Sequence, residues 1–190
     1  MKAKFTLLFL TLILGACSTD VASPQALPTQ PPTGTPHPPT SAATTAVSTT
    51  QCGYQWAYQD LPELTAQFDA AIQTLIPNSA SRATAFGENC IDSNGQVVRF
   101  LAMETDFHVT VSVEALDDYE TFGNWIAQVM QVVNGLPPDL LQGPQPGFVE
   151  FRFEKDVMEG IGFRVPIREY NETAQGHTGE ELFRLFYAGP

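Results

Sequence analysis

Residues 84–113 read TAFGENCIDSNGQVVRFLAMETDFHVTVSV. Residues 84–91 read as a strand, and Asp92-Ser93-Asn94-Gly95 as a turn in which Asn-Gly supplies the positive φ angles of a tight hairpin. The return run, 96–113, is long for one strand. Its apolar residues fall at Val97, Leu101, Met103, Phe107, Val109, Val111 and Val113, so odd positions are expected to face the core. Glu104-Thr105-Asp106 is expected to bend the run or divide it in two. On an unbroken strand Glu104, Asp106 and His108 share the face opposite Phe107, Val109 and Val111. Two carboxylates and an imidazole on one face could hold a divalent cation or supply an acid–base pair. The solvated outer face of a half-exposed strand carries the same residue types, and a bend at Thr105 would split the group.

Helical patterns flank this hairpin. On its N-terminal side Asp60 and Glu63 bracket Pro62 as a capping box. Leu61, Leu64, Phe68, Ile72 and Leu75 then recur at helical spacing, which predicts a helix ending near Ile76. On its C-terminal side an Asp cap and Glu120 open a second helix, whose stripe is Tyr119, Phe122, Ile126, Val129, Met130 and Val133. Gly135 and Pro137-Pro138 end it. Residues 148–154 and 161–167 predict a second hairpin. Here Glu150, Arg152 and Glu154 alternate against Val149, Phe151 and Phe153, and Arg164 is a cross-strand partner for them. Thr178-Gly179-Glu180-Glu181 predicts a capping box for a short last helix. The expected fold is α+β: an antiparallel sheet of four to five strands in two hairpins, with two main helices and a short C-terminal helix on one face.

The N-terminus carries a different signal. Lys2 and Lys4 precede an apolar run, Phe5 to Leu14, that is too short to span a bilayer, which takes about 20 residues, and that matches an export signal. Leu14-Gly15-Ala16-Cys17 resembles the lipobox of bacterial lipoproteins. The resemblance implies cleavage after Ala16, lipidation of the Cys17 thiol, and an extracytoplasmic domain anchored to the bacterial membrane. Residues 18–51 are rich in Pro, Thr and Ser, with no aromatic and almost no charge. They predict an extended tether rather than a packed domain. One globular domain, residues 52–190, is expected to follow. Outside the cytoplasm disulfides persist, so Cys52 and Cys90, the cysteines left once Cys17 is lipidated, are expected to pair.

The full chain has 9 basic and 21 acidic residues, a net charge of −12. Cleavage would remove only Lys2 and Lys4, leaving 7 basic residues against the same 21 acidic ones and a side-chain charge of −14. Such a surface repels nucleic acid and admits cationic partners. Tyr54, Trp56 and Tyr58 alternate in an extended stretch. They fit an aromatic platform for sugar rings or a peptide, or a cover over the core beside the disulfide, and the weight of aromatics in core burial favours the cover. The sequence has no Gly-rich phosphate loop, no G-x-S-x-G and no H-E-x-x-H. The expected function is therefore a non-catalytic binding module at the cell envelope, its partner a protein, a glycan or a small ligand. The alternative is a metal-binding protein or hydrolase using Glu104, Asp106 and His108; no cofactor is expected unless that cluster holds a divalent metal. A purely structural spacer is a third reading.

Overall fold

Five strands and two long helices organise residues 51–189, the part of the chain that the computed structural model describes. The expected signal (1–16), the lipidation site Cys17 and tether residues 18–50 lie outside the described residues. In chain order the elements are β1 (Gly53–Asp60), α1 (Pro62–Leu75), β2 (Ala80–Ile91), β3 (Val97–Ser112), α2 (Tyr119–Asn134), β4 (Gln145–Glu154) and β5 (Gly160–Pro166). A one-turn helix α3 (Ile167–Glu169) and a π turn (Tyr170–Ala174) lead to α4 (Gly179–Phe186). The sheet order is β1-β2-β3-β4-β5. All neighbours are antiparallel except β3 and β4, which are parallel. The α+β class is as expected, but the sheet is mixed rather than purely antiparallel. A parallel pair needs a long crossover, and α2 is that crossover between the two hairpins.

The core lies between the sheet and the helices. Leu64, Phe68 and Ile72 of α1 and Phe122, Ile126, Val129 and Met130 of α2 are buried against Phe107, Val109 and Val111 of β3 and Val149, Phe151 and Phe153 of β4. Phe153 stacks on Phe122 with ring centroids 4.1 Å apart and planes 7° apart, and it meets Phe183 of α4 at 6.5 Å. Each such side chain contributes roughly 1.5–3 kcal/mol by leaving water.

Two of the sheet's register shifts set the side-chain directions around Asp106. Phe86 pairs with Glu104 but Gly87 pairs with Ala102, so Met103 has no partner. One extra residue inverts the faces of a strand. Phe100 and Ala102 pack on the core before the bulge, whereas Thr105, Phe107, Val109 and Val111 face inward after it. Odd parity therefore fails for Leu101, which is exposed; Val97, also exposed, lies beyond a further register shift between Cys90 and Ile91. β3 remains one 16-residue strand. Gly87 allows the close approach, since a Cβ there would collide with the Leu101 carbonyl.

The second bulge is in β4. Thr105 pairs with Pro146 and Phe107 with Val149, so Gly147 and Phe148 together oppose Asp106.

The turns and caps depart from local expectation. In the β2–β3 turn Gly95 has a positive φ, +79°, and Asn94 does not. The Asp92 carboxylate accepts the N–H groups of Asn94 and Gln96 at 2.8 and 2.9 Å, and this holds a wider turn than Asn-Gly alone would make. Asp60 ends β1 rather than capping α1, whose N-cap is Leu61 without a side-chain bond. Asp118 caps α2, accepting from the Thr121 N–H at 3.2 Å. Glu120 reaches across instead to cap α4, where its carboxylate accepts the Glu180 N–H at 3.0 Å and Asn124 accepts that of Gly179 at 3.0 Å. Thr178 makes no cap bond.

Candidate functional site on the helix-free sheet face

The side of the sheet away from the helices is an open face, and strand register places its residues in rows. One row runs Arg82, His108, Glu150, Arg164, one residue from each of β2, β3, β4 and β5. Glu150 sits between His108 and Arg164, and its pairing with the Arg164 cation is the favourable cross-strand arrangement. Glu150 is shared: its carboxylate is 3.6 Å from His108 Nδ1 and 3.6 Å from Arg164 Nε. The Arg164 guanidinium also lies 4.1 Å over the Phe148 ring. Burial holds His108 below the usual histidine range, helped by the Arg82 and Arg164 cations and opposed by Glu150.

Asp106 is the anomaly of this face. It is fully buried. Its Oδ1 accepts the Phe148 N–H at 3.3 Å inside the β4 bulge, where Gly147 leaves the room that a Cβ would fill. Among the described residues Oδ2 has no partner. Burial, and after it the nearby Glu104 carboxylate, pushes the Asp106 carboxyl up to about 6. Each disfavours the charged form.

His108 Nε2 lies 3.3 Å from Thr84 Oγ1, so Thr84, His108 and Glu150 repeat the connectivity of nucleophile, base and orienting acid. The chain of contacts does not make a catalytic site. Thr84 is 2% exposed and is paired on both sides within the sheet. A reacting carbonyl has no approach to its hydroxyl.

The metal site considered from the spacing of Glu104, Asp106 and His108 gains no support from the geometry. Among the described residues no group of three or more His, Cys, Asp and Glu side chains is placed to hold a metal ion. The reason is local: Asp106 turns into the β4 bulge, while the two ring nitrogens of His108 face Thr84 and Glu150.

The second part of the face is aromatic. Cys52 and Cys90 form a disulfide with their Cα atoms 5.1 Å apart, beside the first pair of the β1–β2 ladder, Gly53 and Ile91. From there Tyr54, Trp56 and Tyr58 project on one face of β1, 56%, 60% and 61% exposed. They do not cover the core, which corrects the expectation that aromatics here would be buried. β1 is the sheet edge, and none of its residues is buried. Phe86 of β2 supports the group, stacked under Trp56 at 5.3 Å and 15° and touching Tyr58 at 5.0 Å. Arg99 donates to the Tyr54 hydroxyl at 3.5 Å.

Sequence reasoning missed Phe86 and Thr84 as members of this face. Their signal is parity within residues 84–88, and it points outward only once the partners of β2 are known. Of the clefts among the described residues, two are of similar size. One, of about 480 Å³, follows the β4–β5 hairpin, where Glu150, Arg152 and Arg164 already pair among themselves and with Glu154. The other, of about 430 Å³, lies under the loop after α2, between Leu136 and Ile167. Comparison of the chain with protein-family models, with curated proteins and with solved structures finds no match.

Proposed function

We propose that this protein is a lipid-anchored, extracytoplasmic binding module whose aromatic strip, Tyr54, Trp56 and Tyr58, takes a glycan at the cell envelope. The observation that carries the reading is the exposure of three large aromatic rings on one face of one edge strand. Singly exposed apolar residues need no explanation, but a contiguous patch marks an interaction site. Phe86 covers one face of Trp56 and leaves the other outward, a flat apolar surface of the kind that sugar rings stack on. Tyr and Trp suit such a place because each pairs an apolar body with a polar tip. The location rests on Leu14-Gly15-Ala16-Cys17 with the charged and apolar regions before it. Two acyl chains on Cys17 would hold the protein on a membrane stably, whereas one would not.

The test is a titration of the purified chain with soluble envelope glycans, read by tryptophan fluorescence. Trp56→Ala abolishes binding and leaves the unfolding midpoint nearly unchanged. A wild-type chain that binds no glycan at millimolar concentration would refute the reading. For the anchor, Cys17→Ser moves the protein from the membrane fraction to the soluble fraction and stops incorporation of labelled fatty acid. Persistence of either in the variant would remove the lipoprotein assignment.

A further inference from the structure

We infer that the occupant of the aromatic strip is cationic: an amino sugar whose amine is free, stacked on Trp56 with its ammonium among the carboxylates beside it. The inference rests on the glycan reading above and adds the charge of the ligand. Register carries it. Trp56 pairs directly with Glu88, and Tyr58 pairs with Phe86, whose partner on the other side is Glu104. Directly opposed residues have Cβ atoms about 4.5–5.5 Å apart. A carboxylate therefore follows each of these two aromatic positions on the same face.

Most of the described acids, Glu88 and Glu104 included, form no ion pair. Glu150, Glu154, Glu159, Glu180 and Glu181 each have a basic partner. The cations of the face are Arg99, which donates to Tyr54 and lies diagonal to Glu88 in the register, and Arg82 and Arg164 in the His108 row. An ammonium near the Trp56 and Tyr58 rings gains both the ring quadrupole and the carboxylates. A neutral or N-acetylated sugar gains only the stacking, and an anionic one meets a chain of net charge −12.

The experiment compares three tetramers on the purified chain at pH 6 and low salt: β-linked glucosamine, its N-acetylated counterpart, and neutral cellotetraose. Binding is read by tryptophan fluorescence and calorimetry. The glucosamine tetramer is expected to bind at least tenfold tighter than the other two, and 0.5 M NaCl is expected to erase most of that preference by screening. The Glu88→Gln, Glu104→Gln double variant loses the preference while keeping the weak binding common to all three. Trp56→Ala loses both. Equal affinity for the three tetramers overturns the cationic assignment and leaves the glycan platform standing. Tighter binding of glucosamine by the double variant also overturns it. No binding of any tetramer removes the platform and this inference together. Melting curves of the variants, expected within a degree or two of wild type, show that lost preference is not lost folding.

Discussion

β1 and β4 carry the same pattern and meet opposite fates. Tyr54, Trp56 and Tyr58 alternate along β1; Val149, Phe151 and Phe153 alternate along β4. The β4 residues are wholly buried and the β1 residues are more than half exposed. Periodicity says only that alternate residues share a face. Burial follows from what lies over that face. β4 has a strand on each side, and Phe122 and Phe183 of the helices cover it. β1 has one neighbour, and its aromatic face is the one without helices. Packing therefore holds β4, while the ladder to β2, the disulfide and the contact with Phe86 hold β1.

The largest test of that difference is Phe153→Ala. Removing a fully buried ring that touches Phe122, Phe151, Phe163 and Phe183 should cost about 3–5 kcal/mol, because the cavity adds to the lost transfer energy. Urea unfolding measures it. A cost under about 1 kcal/mol would mean that β4 is not held by its core face.

Next comes the covalent tie of β1. Cys52 and Cys90 are 38 residues apart, and the chain-entropy model assigns a loop of that length about 4 kcal/mol. The Cys52→Ser, Cys90→Ser double variant should lose roughly 2–4 kcal/mol of stability. Hydrogen exchange should show protection falling first in β1, because no buried side chain retains that strand. Uniform loss across the sheet would put β1 in the same cooperative unit as β4 and erase the contrast.

Much of the fold is legible in the sequence, and the failures share a cause. The stripes of α1 and α2 are local repeats, and most of the residues that the repeats name are buried. The Cys52–Cys90 pair is the one left by the cysteine count once the lipobox resemblance sets Cys17 aside. What the sequence hides depends on a partner remote in the chain. Met103 is skipped because Gly87, on another strand, admits the approach. Glu120 looks like a cap for its own helix and caps α4, sixty residues on. Asp106 looks like a metal ligand and instead fills a bulge made by Gly147 and Phe148. One local signal does separate β1 from β4. The aromatics of β1 are Tyr and Trp, whose polar tips tolerate water, whereas β4 uses Phe and Val.

Asp106 gives a third, smaller test, set between the two regions. Its folded carboxyl is raised from 3.8 to about 6. A group raised on folding binds protons more readily in the folded state, so its stability contribution is greatest at low pH. It declines as pH rises from about 4 to about 6 and stays flat above. Asp106→Asn keeps an oxygen for the Phe148 N–H and removes the titration. The variant should match wild type below pH 4 and exceed it above pH 6 by about 2–3 kcal/mol at most, since each pH unit between the folded and unfolded values is worth roughly 1.4 kcal/mol. Urea midpoints between pH 3.5 and 7.5 measure it. A variant less stable than wild type at pH 7.5 would show that the charged carboxylate supports the bulge rather than straining it.

The smallest expected effect is the most discriminating. Trp56→Ala deletes a ring larger than that of Phe153, yet the ring is 60% exposed, and its principal contact is the stack on Phe86. Substitutions on such surfaces usually fall within about 0.5 kcal/mol, and a stacked pair adds at most about 0.5–1.5 kcal/mol beyond its area. The expected loss is therefore under about 1 kcal/mol, several-fold below that of Phe153→Ala. A loss comparable to that of Phe153→Ala would mean that Trp56 closes the β1 end of the fold. The alternation in β1 would then be a packing pattern after all, and the exposed aromatics would no longer require a ligand to explain them. A small loss leaves a large ring in water with no structural task, and that exposure is the physical argument for a binding role.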